Sequence, residues 1–438
     1  MAKFLVFGAG FVAQPLVEYL TRREDNQVTV ASHILQEAEL LAQKFEQAKA
    51  VQVDVTNQQE VEQLVDGHDL VISLVPAPLH PTIAKAAITK AKNMVTASYE
   101  SAEMKALNEQ AQAAGVTILN EIGLDPGIDH LSAMQIIDQA HAKGEKVRTF
   151  VSWCGGLPAP EDNDNPLGYK FSWAPKGVLM ALLNEAVFLK NGEVEKVDAA
   201  QLLAWAKPLD IAGLSLEGYP NRESTSYQVS YGIPEAHNIL RGTLRYAGFC
   251  DIIQAAKQLK LLSVVDANSA DLTWSQYIEK INGLSVEQLS QHVDGNIWSG
   301  LEWIGCFSDQ FVGCFSNPLD AFCHLLTQKL VYQSNERDMV ILQHKFALER
   351  ADGSQYYIAS TLKALGEVGG YTAMSKTVGY PAAIAAQLIA DKKIDRKGVI
   401  LPVSADIYQP ILQQLEKEGI SCVEQQFEVK DGFLSELE

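Results

Sequence analysis

The residues with the most specific chemistry near the start of the chain are the glycines of G-A-G-F-V-A, residues 8–13. They follow a short apolar run, Lys3 to Phe7, and open a segment of helical character, Phe11 to Arg22. In this context Gly8 permits a tight turn, and Gly10 lets backbone N–H groups approach a pyrophosphate. The helix N-terminus adds partial positive charge. The stretch predicts a dinucleotide site, with an unliganded glycine turn as the alternative.

Ser32 and His33 follow the second predicted strand, Gln27 to Ala31, where the type of dinucleotide is usually decided. NAD sites carry an acid there that bonds the ribose 2′-OH, whereas NADP sites avoid the acid and often use arginine. The missing acid favours NADP, and the missing arginine keeps NAD open. Asp54 and Val55 end the third strand. The Asp54 carboxylate could meet the adenine amino group, or it could be a turn or cap residue.

Three later strand ends complete the predicted cofactor edge. Val75-Pro76, Thr96 to Ser98 and Leu124 to Pro126 each follow an apolar run. Because ligands of open α/β sheets lie at the carboxyl ends of the strands, we expect these loops to line the nicotinamide end.

The elements that position these residues are alternating strands and helices over residues 1 to ~127, which predict a parallel, doubly wound Rossmann-type sheet. Beyond them, apolar runs at 147–153, 338–349 and 355–362 indicate an α/β domain, with a mostly helical insertion at ~250–330. We therefore predict a dinucleotide-binding domain at 1–128 and a substrate-binding domain at 129–377. The C-terminal segment, ~378–438, is a candidate to pack back onto the first domain.

Composition narrows the function classes. The 438 residues carry a net charge of −19, which argues against nucleic-acid binding through a basic face. The residues at the start lack the features of a signal peptide, and no run of ~18 apolar residues occurs, so we expect neither a signal peptide nor a membrane span. The six cysteines form no C-x-x-C pair, and the nine histidines show no metal-ligand spacing. We expect no metal and a reduced, cytoplasmic location. We expect the cysteines to be buried as small hydrophobic residues, except for Cys154, for which a functional role is also considered.

Several longer motifs carry a family resemblance. The chain resembles the saccharopine reductase family, the L-glutamate-forming saccharopine dehydrogenases of lysine metabolism. The resemblance covers nearly the whole chain and rests on F-G-A-G-F-V-A-Q-P, V-I-S-L-V-P-A-P-L-H-P, V-T-A-S-Y, N-E-I-G-L-D-P-G-I-D-H, C-G-G-L-P-A-P-E-D-N-D-N-P-L-G-Y-K-F-S-W, Y-P-N-R-E-S-T, I-L-R-G-T-L-R-Y, N-E-R-D-M-V and T-V-G-Y-P.

The resemblance implies an NAD(P)-dependent oxidoreductase acting on CH–NH groups. Glutamate would condense with 2-aminoadipate 6-semialdehyde, and reduction of the imine would give saccharopine; the reverse reaction would oxidise saccharopine. It also implies a homodimer. The departure from the family lies at Ser32-His33, where fungal members carry Cys-Arg and animal members an aspartate, so both NADP and NAD stay open.

The resemblance also implies roles for individual residues. Saccharopine carries three carboxylates, which suit bidentate guanidinium groups. The resemblance implies substrate contacts from Ser98, Tyr99, Asp125, Arg222, Thr243, Leu244 and Arg245. Without the family, either arginine could instead be half of a structural ion pair, and Asp125 could be a turn residue. Tyr99, Asp125 and Cys154 are the acid–base candidates, although orientation of the substrates alone could suffice.

The predicted cofactor residues follow from the strand ends and the resemblance together. They are Gly8, Ala9, Gly10, Phe11, Val12, Ala31, Ser32, His33, Asp54, Val55, Val75, Ala97, Ser98, Leu124, Asp125, Pro126 and Ala174.

The segment from Trp153 to Trp173 combines glycines, prolines and aromatic rings. Its prolines prevent a helix and its rings are unusual for a solvated linker. We predict a stiff loop that walls the substrate site and excludes water, with a domain or dimer contact as the alternative.

Two rival functions stand beside this one. A carboxynorspermidine dehydrogenase-like enzyme also reduces an imine, but its polyamine substrate would favour acids over Arg222 and Arg245. A non-catalytic, nucleotide-sensing Rossmann protein would leave those arginines without a ligand.

Overall fold

The structure is a computed structural model and describes residues 2–428 and Leu434. The strands are β1 Ala2–Phe7, β2 Asn26–Ser32, β3 Ala48–Gln52, β4 Leu70–Ser73, β5 Asn93–Thr96, β6 Thr117–Leu119, β7 Lys146–Pro158, β8 Ala186–Lys190, β9 Glu193–Val197, β10 Lys207–Ile211, β11 Leu214–Pro220, β12 Asn238–Tyr246, β13 Asp338–Glu349, β14 Gln355–Leu365, β15 Gly398–Ile400 and β16 Val423–Glu428. The helices are α1 Ala13–Thr21, α2 Leu35–Ala42, α3 Gln58–Asp66, α4 His80–Thr89, α5 Ala102–Lys105, α6 Asn108–Ala113, α7 Ile128–Ala142, α8 Pro175–Ala181, α9 Tyr227–Ser230, α10 Phe249–Gln258, α11 Trp274–Asn282, α12 Val286–Ser290, α13 Gly295–Ile304, α14 Pro318–Thr327, α15 Ala373–Ala390 and α16 Ala405–Lys417.

The chain forms two compact units. The first comprises residues 1–144 and 371–423, and the second comprises residues 145–370 and 424–438. Of the C-terminal residues, 429–433 and 435–438 lie outside the described part of the chain.

The first unit contains a seven-stranded sheet in the order β15-β6-β5-β4-β1-β2-β3. Every one of its strand pairs is parallel. Phe4 to Phe7 on β1 and Leu70 to Ile72 on β4 are buried without alternation, as expected for strands covered by helices on both faces. The predicted Rossmann-type fold is confirmed.

The C-terminal segment supplies a strand and a supporting helix to the first unit. β15 pairs with β6 over three residues. Helix α15 packs so closely on the start of α1 that a Cβ on Gly379 would lie 2.9 Å from the Val12 carbonyl oxygen. The T-V-G-Y-P motif therefore packs against α1, the helix that begins in the glycine loop, residues 8–13.

The second unit contains a nine-stranded mixed sheet. Its main order is β10-β11-β12-β7-β13-β14-β16, with β8 joining β12 and β9. The central pair, β12 and β7, is parallel, and β13 runs antiparallel to β7. Helices α10 to α14 form the mostly helical region between β12 and β13 that the sequence predicts. Trp274 of α11 and Phe322 of α14 are buried in the core of this unit.

The segment from Trp153 to Trp173 is only partly a loop. Its first residues belong to β7, which runs on to Pro158 and pairs with both β12 and β13. The prediction of a loop from Trp153 onward is wrong here, because two neighbouring strands satisfy the backbone of the glycines. The indole of Trp153 fills the space above Gly242, where a Cβ would lie 2.0 Å from the ring.

The rest of this segment is held by ion pairs and hydrogen bonds. The buried Lys170 ammonium bonds Asp164 and Glu336, each at 2.8 Å. Arg337 pairs with Glu161, and its backbone N–H donates to Asp162. The N-E-R-D-M-V motif thus fixes the shape of the proline-rich loop. Within residues 2–428 and Leu434, no helix has the length and hydropathy needed to cross a membrane.

Candidate active site

The glycine loop joins β1 to α1 at the carboxyl edge of the parallel sheet. Gly8 has a φ of +111°, which side-chain-bearing residues rarely adopt. A Cβ there would also lie 3.1 Å from the Leu74 carbonyl oxygen, at the end of β4. The backbone N–H of Gly8 donates to the Ala31 carbonyl at 2.8 Å. The loop therefore lies at the point where the strand order reverses between β2 and β4, which is where open α/β sheets bind ligands.

The start of α1 fits a phosphate group. Its N-cap residue, Val12, makes no side-chain cap, and the first turn carries no acidic residue. Space above Gly10 is open, since a Cβ there would meet no atom within 4 Å. The N–H groups of the first turn therefore keep their partial positive charge for an anion. The residues present fit the pyrophosphate of a dinucleotide.

The ends of β2 and β3 lie next to the glycine loop. Ser32 is 7% exposed, and its hydroxyl accepts from the Ile34 N–H at 3.2 Å. His33 is exposed. Asp54 accepts from the Thr56 N–H and hydroxyl at 2.9 and 2.7 Å, and the Thr56 hydroxyl lowers the pKa of the Asp54 carboxyl. Asp54 thus forms a turn, and its contact with adenine stays a prediction.

The loops after β5 and β6 bond to each other. The Tyr99 hydroxyl donates to Asp125 Oδ1 at 3.0 Å. The N–H of Glu121 donates to the Ser98 carbonyl at 3.1 Å, and the N–H of Glu100 donates to Glu121 Oε1 at 2.8 Å. The structure therefore brings together Ser98, Tyr99 and Asp125, which the sequence separates by 26 residues.

Asp125 is presented by a tight turn before α7. Gly127 has a φ of +149°, and a Cβ on it would overlap the Gly123 carbonyl at 1.9 Å. The N–H of Gly123 donates to the Pro126 carbonyl at 2.9 Å. The buried Asp129 carboxylate accepts from the Gly127 N–H at 2.6 Å. These contacts explain the spacing of G-L-D-P-G-I-D.

Two buried histidines near these loops have no role in the sequence analysis. His80 Nδ1 lies 2.7 Å from the Ser73 hydroxyl, and its Nε2 lies 2.7 Å from the Ser98 hydroxyl. His130 Nε2 lies 2.7 Å from Glu121 Oε2. Both stand in motifs that carry the resemblance. The sequence feature that marks both residues is a histidine that follows a strand end within an apolar motif.

His80 should make the stability of the protein depend on pH. Burial lowers its pKa to about 4, from an ordinary value of 6.5. The unfolded chain therefore binds a proton between these values that the native state does not, so stability falls as pH falls from 6.5 toward 4. The contribution is roughly 3 kcal/mol at the lower limit. Urea unfolding at several pH values in this range should show that the free energy of unfolding depends less steeply on pH in His80→Gln than in the unsubstituted protein. An equal pH dependence in both proteins would contradict the lowered pKa of His80.

In the second unit, Arg245 lies near the end of β12. It is 5% exposed, and its guanidinium stacks over the rings of Tyr169 and Phe249, at 4.9 and 5.1 Å. Its Nη1 donates to the Leu244 carbonyl at 2.7 Å, while its Nε has no hydrogen-bond partner among the described residues. A cation so placed needs an anion.

The groups around Arg245 do not supply that anion. Glu217 lies opposite it on β11, but its carboxylate accepts from the Cys250 N–H at 2.7 Å. Burial raises the pKa of Tyr219 and of Cys250, so both stay neutral. Within the described part of the chain, no carboxylate forms an ion pair with Arg245. Its binding of a substrate carboxylate stays a prediction.

The other predicted substrate residues of the second unit lie in two places, on β12 and after β11. Thr243 pairs with Cys154 on β7, and Leu244 packs against Gly155, where a Cβ would lie 2.8 Å from Leu244 Cβ. Thr243 and Leu244 precede Arg245 on β12. Arg222 is exposed, follows β11 and has a φ of +55°. Pro220, the last residue of β11, pairs with Gly242, whereas the Arg222 carbonyl accepts from the Val187 N–H at 2.8 Å.

Ala174 also lies in the second unit, exposed at the N-cap position of α8. The other predicted cofactor residues lie in the first unit. Among the described residues, no group of three or more His, Cys, Asp and Glu is arranged to hold a metal ion.

The fold and the glycine loop together define a dinucleotide-binding protein of the Rossmann class. The family model described as "Saccharopine dehydrogenase NADP binding domain" matches residues 4–119. The model described as "Saccharopine dehydrogenase C-terminal domain" matches residues 123–420. The chain belongs to the saccharopine dehydrogenase family and is an oxidoreductase, and the expectation of NADP is confirmed.

Individual relatives agree with the family. Saccharopine dehydrogenase [NADP(+), L-glutamate-forming] of Saccharomyces cerevisiae is 44% identical, over 95% of this chain and 97% of the relative. Mitochondrial alpha-aminoadipic semialdehyde synthase of Rattus norvegicus is 40% identical over 95% of this chain, which covers 47% of that longer protein. A solved apo structure of histidine-tagged saccharopine dehydrogenase (L-Glu forming) from S. cerevisiae superposes with a TM-score of 0.89, at 42% identity, over 97% of this chain and all of that one.

Proposed function

We propose that the protein is an NADP-dependent, L-glutamate-forming saccharopine dehydrogenase of lysine metabolism. It interconverts saccharopine with glutamate and 2-aminoadipate 6-semialdehyde. The full-length similarity to relatives named for this activity supports the reaction.

Arg245 is the single observation that carries the substrate class. A buried guanidinium that stacks on two rings, with its Nε unpaired among the described residues, suits the carboxylate of an amino acid. Saccharopine offers three carboxylates and carboxynorspermidine only one, so guanidinium groups at the substrate favour saccharopine over the carboxynorspermidine alternative. Exposed Arg222 is the second guanidinium proposed to bind a substrate carboxylate.

The residues of the first unit act on the cofactor and on the amino group. NADP, when bound, accepts or donates the hydride. The glycine loop and the start of α1 hold its pyrophosphate. Ser98 lies beside the nicotinamide and the substrate, and Asp125 holds the substrate α-ammonium. The Tyr99 hydroxyl, bonded to Asp125, orients that carboxylate.

Single substitutions of Tyr99 or Cys154 should reduce kcat only modestly, by about 10-fold or less. An iminium is already a good hydride acceptor, so orientation of the reactants supplies most of the rate. Steady-state kinetics of Tyr99→Phe and Cys154→Ser with saccharopine would measure this. A loss of about 1,000-fold or more in either variant would identify an essential acid–base residue instead.

Turnover of saccharopine tests the proposed function directly. The purified protein is mixed with saccharopine and either NADP⁺ or NAD⁺, and absorbance of the reduced nicotinamide is followed. We expect turnover with a higher kcat/KM for NADP⁺. Folded protein that binds dinucleotide but shows no turnover would contradict the substrate, and carboxynorspermidine would then be assayed.

The finer assignments are also proposals. We assign residues 1–128 to the cofactor and 129–377 to the substrate, and we propose a homodimer in the cytoplasm. Neither a nucleic acid nor a membrane is a proposed partner. Light scattering would measure the oligomeric state.

A further inference from the structure

We propose that His80 is a positioning residue for this reaction, because its Nε2–H holds the Ser98 oxygen and directs the Ser98 proton to an acceptor on the bound ligand. The inference rests on the proposed function, which places Ser98 beside the nicotinamide and the substrate. The acceptor is an oxygen, either of a substrate carboxylate or of the nicotinamide carboxamide.

Hydrogen-bond accounting assigns the tautomer of His80. Both ring nitrogens lie 2.7 Å from a hydroxyl, Nδ1 from Ser73 and Nε2 from Ser98. The Ser73 hydroxyl is fully buried, and among the described residues His80 is its one side-chain partner. If Nδ1 carried the proton, the Ser73 hydrogen would be left without an acceptor, which is costly in a buried site. Ser73 therefore donates to Nδ1, and the proton is on Nε2.

This tautomer decides what Ser98 can do. Nε2–H donates to the Ser98 oxygen, so the hydroxyl hydrogen of Ser98 points away from His80 and remains for a ligand. The Thr96 hydroxyl, 3.4 Å from Nε2, accepts from the Ser98 N–H at 3.3 Å and limits where the side chain can turn. In the opposite tautomer Ser98 would donate to His80 and offer a ligand only lone pairs.

The backbone around Ser98 does not depend on His80. The Ser98 carbonyl accepts from the Glu121 N–H at 3.1 Å, and the Ile122 N–H donates to the Thr96 carbonyl at 3.2 Å. The Glu100 N–H donates to Glu121, which is itself bonded to His130. Removing the His80 imidazole should therefore release the Ser98 hydroxyl and leave the loop in place. Burial keeps His80 neutral, since its pKa is lowered to about 4.

A double-mutant cycle between His80 and Ser98 tests the proposal. The variants are His80→Phe, Ser98→Ala and the double variant, compared by kcat and KM for saccharopine and by the Kd of NADP⁺ from protein fluorescence. Each single variant should lose about 10-fold in kcat/KM, the equivalent of one hydrogen bond. The double variant should be no worse than Ser98→Ala, because His80 acts through Ser98. A rise in KM for saccharopine identifies the carboxylate as acceptor, and a rise in the Kd of NADP⁺ identifies the carboxamide.

Two further variants distinguish positioning from a general structural role. His80→Gln, whose amide can donate to Ser98, should recover most of the loss. His68 provides a matched control, because it is also buried in the first unit and bonds the Leu64 carbonyl and the Thr29 hydroxyl, away from the predicted site. His68→Gln should leave the kinetics unchanged.

Three results would overturn the proposal. These are additive losses of about 100-fold in the double variant, unchanged kinetics in His80→Phe, or equal kinetic damage from His68→Gln. If His80→Phe does not fold, the cycle is run with Ser73→Ala, which removes the donor to Nδ1 and should show the same dependence on Ser98. Wild-type protein without saccharopine turnover would instead overturn the proposed function, and this inference with it.

Discussion

Arg245→Met should lose about 100- to 1,000-fold in kcat/KM for saccharopine and remain as stable as the unsubstituted protein. The loss corresponds to roughly 3 to 4 kcal/mol, as expected for a charge-assisted, bidentate contact with a carboxylate. The stability should hold because the buried guanidinium has no carboxylate partner among the described residues. Methionine removes the cost of burying a charge, which offsets the loss of its contacts with Tyr169 and Phe249.

Steady-state kinetics and urea unfolding measure the two parts of this result. Arg148→Met is the matched control, since Arg148 lies in the same sheet but pairs with Glu349 at 2.8 Å. It should leave kcat/KM within about two-fold, and its stability should fall by about 1 kcal/mol or less, as for other partly exposed pairs. An Arg245→Met protein that unfolds readily but keeps its kinetics would make Arg245 a structural residue.

Ser32→Asp should weaken NADP⁺ binding by about 100- to 1,000-fold and shift the preference toward NAD⁺. A carboxylate at the end of β2 would repel the 2′-phosphate, and like charges placed together cost several kcal/mol. The same carboxylate would accept a hydrogen bond from the free ribose 2′-OH of NAD⁺. The fold should be kept, because aspartate can also accept from the Ile34 N–H that now bonds Ser32.

The Kd values of both dinucleotides, titrated without substrate, measure this change independently of turnover. Ser32→Ala is the control, and it should alter the Kd of NADP⁺ by about 10-fold or less, since it removes one neutral hydrogen bond. If Ser32→Asp left both Kd values unchanged, Ser32 would not lie at the ribose, and the residue that selects NADP would have to be sought elsewhere.

The sequence by itself predicted the cofactor half of this protein. Glycine spacing, unbroken apolar strands and the absence of an acid after Ala31 are local features, and each has one main physical explanation. A turn with a φ of +111° needs glycine, and strands buried on both faces need continuous apolar residues. Parallel strands also place their carboxyl ends at one edge, so the loops after β5 and β6 could be expected to meet.

The tertiary structure alone decided the environment of each site residue. The sequence around Arg245 would be the same whether Arg245 paired with Glu217 or bound a ligand. The structure distinguishes the two cases, because the Glu217 carboxylate accepts from the Cys250 N–H. The sequence did not predict the strand from Trp153 to Pro158, because its glycines and proline are typical of a loop. Pairing with β12 and β13 provides the hydrogen bonds that its backbone needs to form a strand. His80 gained its role from Ser73 and Ser98, which come from two different strand ends. Such pairings are long-range, and the local pattern of residues does not encode them.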